Sequence, residues 1–146
     1  MQPKEFTTWT DGGARGNPGP AGYGVVICDG DHQTIAEISE YIGETTNNQA
    51  EYAAVLTALE KIQELAAGEP VRVYMRLDSE LVVKQLTGLY KVKNDGLKPV
   101  YWKIRDLVML LGGAVQFEHI PRRENKRADE LANEAMDRGV SGRVTR

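Results

Sequence analysis

The sequence predicts an α/β fold, and three observations carry that expectation. Runs of β character and runs of helical periodicity follow one another in the order β-β-β-α-β-α-α-β-α. Breaks such as Gly16-Asn17-Pro18-Gly19, Gly68-Glu69-Pro70 and Gly112-Gly113 punctuate them. Two strand-like runs, residues 5–10 and 71–77, lead straight into an aspartate, Asp11 and Asp78. Strand ends of this kind are where α/β sheets carry their chemistry.

At 146 residues the chain has the size of one domain with a real core, and 41% hydrophobic and 27% charged residues suit a globular protein in water. No apolar run reaches the ~18 residues of a membrane span. The opening Met-Gln-Pro-Lys-Glu-Phe has no signal-like apolar segment, so a cytoplasmic protein is expected. Cys28 has no partner for an internal disulfide and reads as a buried structural thiol. The net charge of −3 hides an asymmetry: residues 1–83 hold 5 basic and 13 acidic residues, residues 84–127 hold 10 and 4. Such a chain can turn one positive face to a nucleic acid, although a solvated basic helix face explains the same asymmetry.

The elements follow in order. A first strand over residues 6–10 precedes the Gly/Pro-rich turn. Residues 23–28 and 34–42 form two β-rich runs joined by Asp29-Gly30-Asp31-His32, a hairpin signal that puts His32 at the surface. Thr45-Thr46-Asn47-Asn48 announces a helix, and Asn48 followed three places on by Glu51 fits a capping box. Val55, Ala58, Leu59, Ile62 and Leu65 make its apolar stripe, ending near Ala67-Gly68. Val71, Val73, Met75 and Leu77 share one face of the next strand, and a short helix with Leu81, Val82, Val83 and Leu86 follows. A polar connection with Lys91 and Lys93 leads to a helix reaching Leu111. Residues 114–120 form the last strand, and the final helix carries Ala128, Leu131, Ala132, Ala135 and Met136, with Asp129 beside that apolar side.

Four carboxylates thus fall at two strand ends, Asp11 and Asp78, and on the inward sides of two helices, Glu51 and Asp129. Each has an ordinary local explanation, among them an Asx-turn for Asp11, the capping box for Glu51 and an N-cap for Asp78. Taken together, two of the four would be inward-facing charges with no cation nearby in sequence, which is costly. If residues 5–10 and 71–77 lie parallel and adjacent, Asp11 and Asp78 emerge at one edge, and Glu51 and Asp129 can close around them. Such a cluster needs cations to stay ionised. Mg²⁺ or Mn²⁺ suits all-oxygen donors, and no Cys/His set has zinc spacing. Two such ions about 4 Å apart would set a water in line with a phosphodiester.

Thr10-Asp11-Gly12-Gly13, Arg15-Gly16-Asn17-Pro18-Gly19, Thr45-Thr46-Asn47-Asn48-Gln49-Ala50-Glu51, Leu77-Asp78-Ser79 and Arg127-Ala128-Asp129-Glu130-Leu131-Ala132 appear in that order. Each motif alone is weak; the ordered set resembles type 1 ribonuclease H over residues 5 to about 138. The resemblance implies a ribonuclease H-like fold, a five-stranded mixed sheet flanked by helices, in a catalytic domain over residues 1–139. Residues 140–146 show no pattern of their own and are expected to be a mobile tail. It implies cutting of the RNA strand of an RNA–DNA hybrid with two Mg²⁺ or Mn²⁺ ions, leaving 5′-phosphate and 3′-hydroxyl ends. Asp11 would bridge both ions, Glu51 and Asp78 would share one, and Asp129 would hold the ion that orients the attacking water. Glu51 would also sense the ribose 2′-hydroxyl. Gly12, Asn17, Thr46, Asn47, Asn48, Ser79 and Arg122 fall at substrate-contact positions, whose short amides and hydroxyls suit a shallow minor groove. A monomer without membrane contact is expected, and double-stranded RNA stays open as a second substrate.

Two departures from the family pattern stand out. The interval 88–99 is too short for the basic helical protrusion of some relatives and holds only Lys91, Lys93 and Lys98, so affinity would rest on residues such as Lys103, Arg105 and Arg122. The family's mobile loop histidine has no clear counterpart. His119, ten residues before Asp129, is a candidate proton shuttle in that place, but its setting is strand-like, so Arg122 or Arg123 could fill that space instead. Arg15 is equally a phosphate contact or a solvated charge. The competing readings are a binding module without turnover and a resolvase- or transposase-like nuclease acting on DNA.

Overall fold

The computed structural model describes residues 2–144, with side chains described through residue 140. Its elements are β1 (Lys4–Ala14), β2 (Gly19–Cys28), β3 (Thr34–Thr45), α1 (Asn47–Ala66), β4 (Val71–Leu77), α2 (Glu80–Leu86), α3 (Lys98–Leu110), β5 (Val115–His119) and α4 (Lys126–Val144), with a 3-10 turn at Arg122–Glu124. The order is the expected one. The sheet runs β3-β2-β1-β4-β5, with β1–β2 and β2–β3 antiparallel and β1–β4 and β4–β5 parallel. This is the five-stranded mixed sheet that the resemblance implies.

The β1–β4 register runs from Lys4 opposite Val71 to Thr10 opposite Leu77. Asp11 and Asp78 are therefore each the first residue beyond the last parallel pair. The first strand is longer than its sequence suggests. β1 continues through Asp11 to Ala14, still paired with β2 as Asp11–Gly24, Gly12–Tyr23, Gly13–Gly22 and Ala14–Ala21. Its glycines read as a turn, yet here they remove side chains where helices approach the sheet. A Cβ on Gly12 would meet the backbone of Ala50 and Glu51 in α1, and one on Gly13 would touch Met136 of α4. Neighbouring residues of a strand point to opposite faces, so α1 and α4 cover opposite sides of β1.

That two-sided cover explains why all ten residues of β2 are buried. Tyr23, Val25 and Ile27 join the main core with Val55, Leu59 and Ile62 of α1, while Val26 and Cys28 pack with Leu131 of α4. Burial of each large aliphatic side chain contributes about 1.5–3 kcal/mol. Cys28 is buried, as expected. α4 packs against β1, β2 and β3. Beyond it, β4 keeps the predicted alternation, with Val71, Val73, Met75 and Leu77 buried and Arg72 exposed.

The helix caps correct two local readings. The N-cap of α1 is Thr46, whose hydroxyl accepts from the Gln49 amide at 3.2 Å. Asn48 is already helical, and Glu51 is not part of a capping box. The N-cap of α2 is Ser79, accepting from the Val82 amide at 3.3 Å, so Asp78 is not spent as a cap. Thr46 and Ser79 win because each lies immediately outside the helix with extended backbone, as an N-cap requires. Within the stretch that carries no sequence pattern, α4 continues through Val144. Residues 145 and 146 lie outside the described residues.

His32 is exposed in the β2–β3 hairpin, where Asp29 Oδ1 accepts from the amides of Asp31 at 2.9 Å and Gln33 at 3.0 Å. No helix among the described residues is long and apolar enough to cross a membrane.

Candidate active site

The end of the parallel β1–β4 pair gathers the four acids from four elements. Asp11 comes from β1, Asp78 from just after β4, Glu51 from the second turn of α1, and Asp129 from the first turn of α4. Asp11, Glu51 and Asp78 each offer a carboxylate oxygen within 4.8 Å of the others. Asp129 stands within hydrogen-bonding range of Asp11 and lines the same cleft as Asp11 and Glu51. Asp11 Oδ1 does accept from the Gly12 amide at 3.0 Å. That local bond occupies one oxygen and leaves the group in the cluster.

The electrostatics follow from burial and crowding. Burial is the main cause that pushes the Asp11 carboxyl up to about 8, followed by the charge of Asp78, the hydrogen bond and charge of Asp129, and the charge of Glu51. Burial also lifts Glu51 to about 7, and Asp78 adds to the rise. The Ser79 hydroxyl, donating to the Glu51 carboxylate, and the nearby Arg122 guanidinium pull it back down. A buried cluster of oxygen donors that resists full ionisation on its own fits a hard divalent cation, which would supply the missing positive charge. The acidic triad can therefore hold a metal.

The resemblance-derived contact positions sort into distinct jobs. Gly12, Asn47 and Arg122 line the cleft with Asp11, Glu51 and Asp129, and Ser79 lines the pocket between Asp11, Glu51 and Asp78. Asn17 and Asn47 lash the β1–β2 turn to α1. Asn17 Oδ1 accepts from the Asn47 amide at 2.9 Å, and Asn47 Oδ1 accepts from the Ala14 amide at 2.8 Å. Because each carbonyl oxygen faces a backbone donor, each NH₂ is left as an outward donor on an exposed residue. Thr46 is the α1 cap, and Asn48 is half-buried in the first turn.

Arg15 is tied to α4, donating to Asn133 Oδ1 at 3.1 Å and pairing with Asp137 at 2.8 Å. Arg122 reaches the carboxylate cleft, whereas Arg123 lines a different one with Trp9 and Val26. His119 is the last residue of β5, opposite Leu77, exposed and outside the carboxylate triad. No protrusion lies between α2 and α3. Among the basic residues named for affinity, Arg105 donates to the Leu86 carbonyl at 3.3 Å, while Lys103 is exposed.

Sequence reasoning passed over Asn125, which is 1% exposed and donates from Nδ2 to the Thr10 carbonyl at 2.9 Å and to Asp78 Oδ2 at 3.0 Å. Its place immediately before a helix was legible. Its inward turn was not, since Thr10 lies 115 residues away along the chain.

Fold and site define an α/β nuclease-like domain, with a carboxylate cluster at the end of a parallel strand pair. A family model described as "Reverse transcriptase-like" matches residues 9–135. A ribonuclease H of Hydrogenovibrio crunogenus is 34% identical, the match covering 92% of this chain and 97% of that one. The chain belongs to the ribonuclease H family, type 1. A bifunctional protein of Mycobacterium tuberculosis is 44% identical over 87% of this chain but 34% of its own length. The chain thus spans about a third of those mycobacterial relatives. The solved structure of LC11-RNase H1 in complex with an RNA/DNA hybrid is 51% identical with a TM-score of 0.88, covering 92% of this chain and 99% of that one.

Proposed function

We propose that the chain is an endoribonuclease that hydrolyses the RNA strand of RNA–DNA hybrids at this site, with two Mg²⁺ or Mn²⁺ ions, leaving 5′-phosphate and 3′-hydroxyl ends. One observation carries the reading. Three carboxylate oxygens converge within 4.8 Å at the strand ends, beside a fourth acid, in a setting that holds Asp11 and Glu51 far above the usual carboxylate range. The hybrid bound by LC11-RNase H1 supports the substrate.

Asp11, which borders the other three acids, would help to hold both ions. Glu51 and Asp78 would share one ion, and Asp129 would hold the other. Bound there, the ions supply Lewis-acid stabilisation of the leaving oxygen and a water that is nucleophilic near neutral pH. The remaining work belongs to side chains. Ser79 and Arg122 orient Glu51 and favour its charged form, as Glu51 faces the ribose 2′-hydroxyl. The free NH₂ groups of Asn17 and Asn47 donate to phosphate and sugar oxygens, with Gly12, Thr46, Asn48, Ser79 and Arg122 completing the contact surface. His119, exposed at the end of β5, is the candidate for proton transfer in this reading. A cytoplasmic monomer accompanies this reading, and sedimentation of the purified chain checks the monomer.

The test is cleavage of a short hybrid, labelled on either strand, by wild type and Asp11→Asn with Mg²⁺ or Mn²⁺. RNA-strand cleavage lost in Asp11→Asn while hybrid binding persists is the expected result. Tight binding without cleavage would make the chain a binding module, and DNA-strand cutting would make it resolvase-like. A double-stranded RNA lane reads the second substrate.

A further inference from the structure

Asn125 stands at the N-cap position of α4, and its backbone carbonyl accepts the first helical bond, from the Asp129 amide at 3.0 Å. An asparagine there ordinarily turns its side-chain oxygen to the next free helix amides. Asn125 does not. Its Oδ1 is buried and has no hydrogen-bond partner among the described residues. Both hydrogens of the NH₂ are spent inward, one on the Thr10 carbonyl at 2.9 Å and one on Asp78 Oδ2 at 3.0 Å. The reverse amide orientation is ruled out, because it would set Oδ1 against a carbonyl and a carboxylate, both acceptors. The orphan acceptor is a stability cost that a plain cap would not incur.

The cost coincides with a gap in the sheet. Ladder pairing of β1 with β4 stops at Thr10–Leu77, so no backbone pairing joins the two strands at Asp11 and Asp78. Asn125 spans that gap. It touches Asp78 itself, the residue before Asp11 and the amide of Asp129, and so connects three of the four acids.

We propose that Asn125 is a positioning residue, whose amide bridge between Thr10 and Asp78 sets the spacing and rotamer of the carboxylates for metal binding. It acts through Asp78 and touches neither substrate nor metal. The proposal rests on the metal-dependent reading above, but its deciding readout is metal binding, not cleavage of hybrid.

The experiment measures Mn²⁺ binding by calorimetry in a double-mutant cycle of Asn125→Leu and Asp78→Asn, with thermal unfolding of each metal-free protein alongside. Leucine has nearly the same shape but no donor. Asn125→Leu is expected to weaken Mn²⁺ binding by tenfold or more. In the Asp78→Asn background the same substitution should weaken it less than threefold, because the group it orients is gone. Hybrid affinity measured in EDTA should change less than twofold. Equal weakening of Mn²⁺ binding in both backgrounds, or wild-type Mn²⁺ affinity in Asn125→Leu, overturns the proposal. If Asn125→Leu does not fold by circular dichroism, Asn125→Ser, too short to reach Asp78, takes its place in the cycle under the same criteria. If wild type binds Mn²⁺ and the cycle couples but hybrid is not cut, the functional reading fails and the positioning role stands.

Discussion

Gly12 and Ala50 meet backbone to backbone. A Cβ on Gly12 would stand 2.4 Å from the carbonyl carbon of Ala50 and 2.5 Å from the amide nitrogen of Glu51. This contact lets α1 close on β1 until Glu51 stands beside Asp11. The same device recurs where α4 meets the sheet, since a Cβ on Gly24 would lie 2.3 Å from the Ala128 carbonyl oxygen, next to Asp129.

Gly12→Ala should therefore separate β1 from α1. Neither contact atom is a flexible side-chain tip, so backbone must move, and overpacking of this kind costs ~1–3 kcal/mol. A lower Tm together with a loss of hybrid cleavage well beyond the loss of folded protein is expected. An active, equally stable Gly12→Ala protein would contradict the close approach.

The raised carboxyls of Asp11 and Glu51 give a pH signature of definite sign. In the folded, metal-free protein they hold protons that the unfolded chain releases near its ordinary values of 3.8 and 4.5. Their contribution to stability is thus full below about pH 4 and is lost as pH rises through about 7 for Glu51 and about 8 for Asp11. Metal binding needs the ionised forms and runs the other way. Thermal unfolding with EDTA or Mg²⁺ from pH 5.5 to about 9 should show a metal-induced Tm gain that grows with pH. A gain independent of pH would count against a cluster of raised acids.

Asn47 separates a structural role from a substrate role. Asn47→Asp keeps an oxygen for the Ala14 amide but loses the outward NH₂, so Tm should hold while hybrid affinity falls. Asn47→Ala loses both, and the missing lash should cost a further ~0.5–1.5 kcal/mol of stability. Measuring Tm and hybrid Kd at one fixed salt concentration reads the two separately. Equal hybrid affinity in wild type and Asn47→Asp would remove the contact role.

The two adjacent arginines should behave differently. Arg122 holds the Glu51 carboxyl down, so Arg122→Ala should move Glu51 further up and shift the acid limb of the pH–rate profile to higher pH. Arg123 lines another cleft, and Arg123→Ala should leave that limb in place. A shift produced by Arg123→Ala and not by Arg122→Ala would reverse the assignment.

The sequence by itself determined the order of strands and helices and the identity of the four acids. Hydrophobic period and turn residues are local signals, and four acids recurring in a fixed order of motifs are visible without coordinates. Only the tertiary structure decided what each polar residue is used for. Asn48 and Asp78 look like caps in a local window, but Thr46 and Ser79 take those places and leave Asp78 to the cluster. Gly12 and Gly13 look like a turn, yet β2 pairing carries the strand through them while helices press on both faces. Arg122 and Arg123 are neighbours in sequence, and one 3-10 turn sends them to different clefts. Asn125 shows the reason most plainly. Its partners lie 115 and 47 residues away, and burial makes its amide bond to whatever acceptor the closed fold brings within reach, which no local pattern encodes.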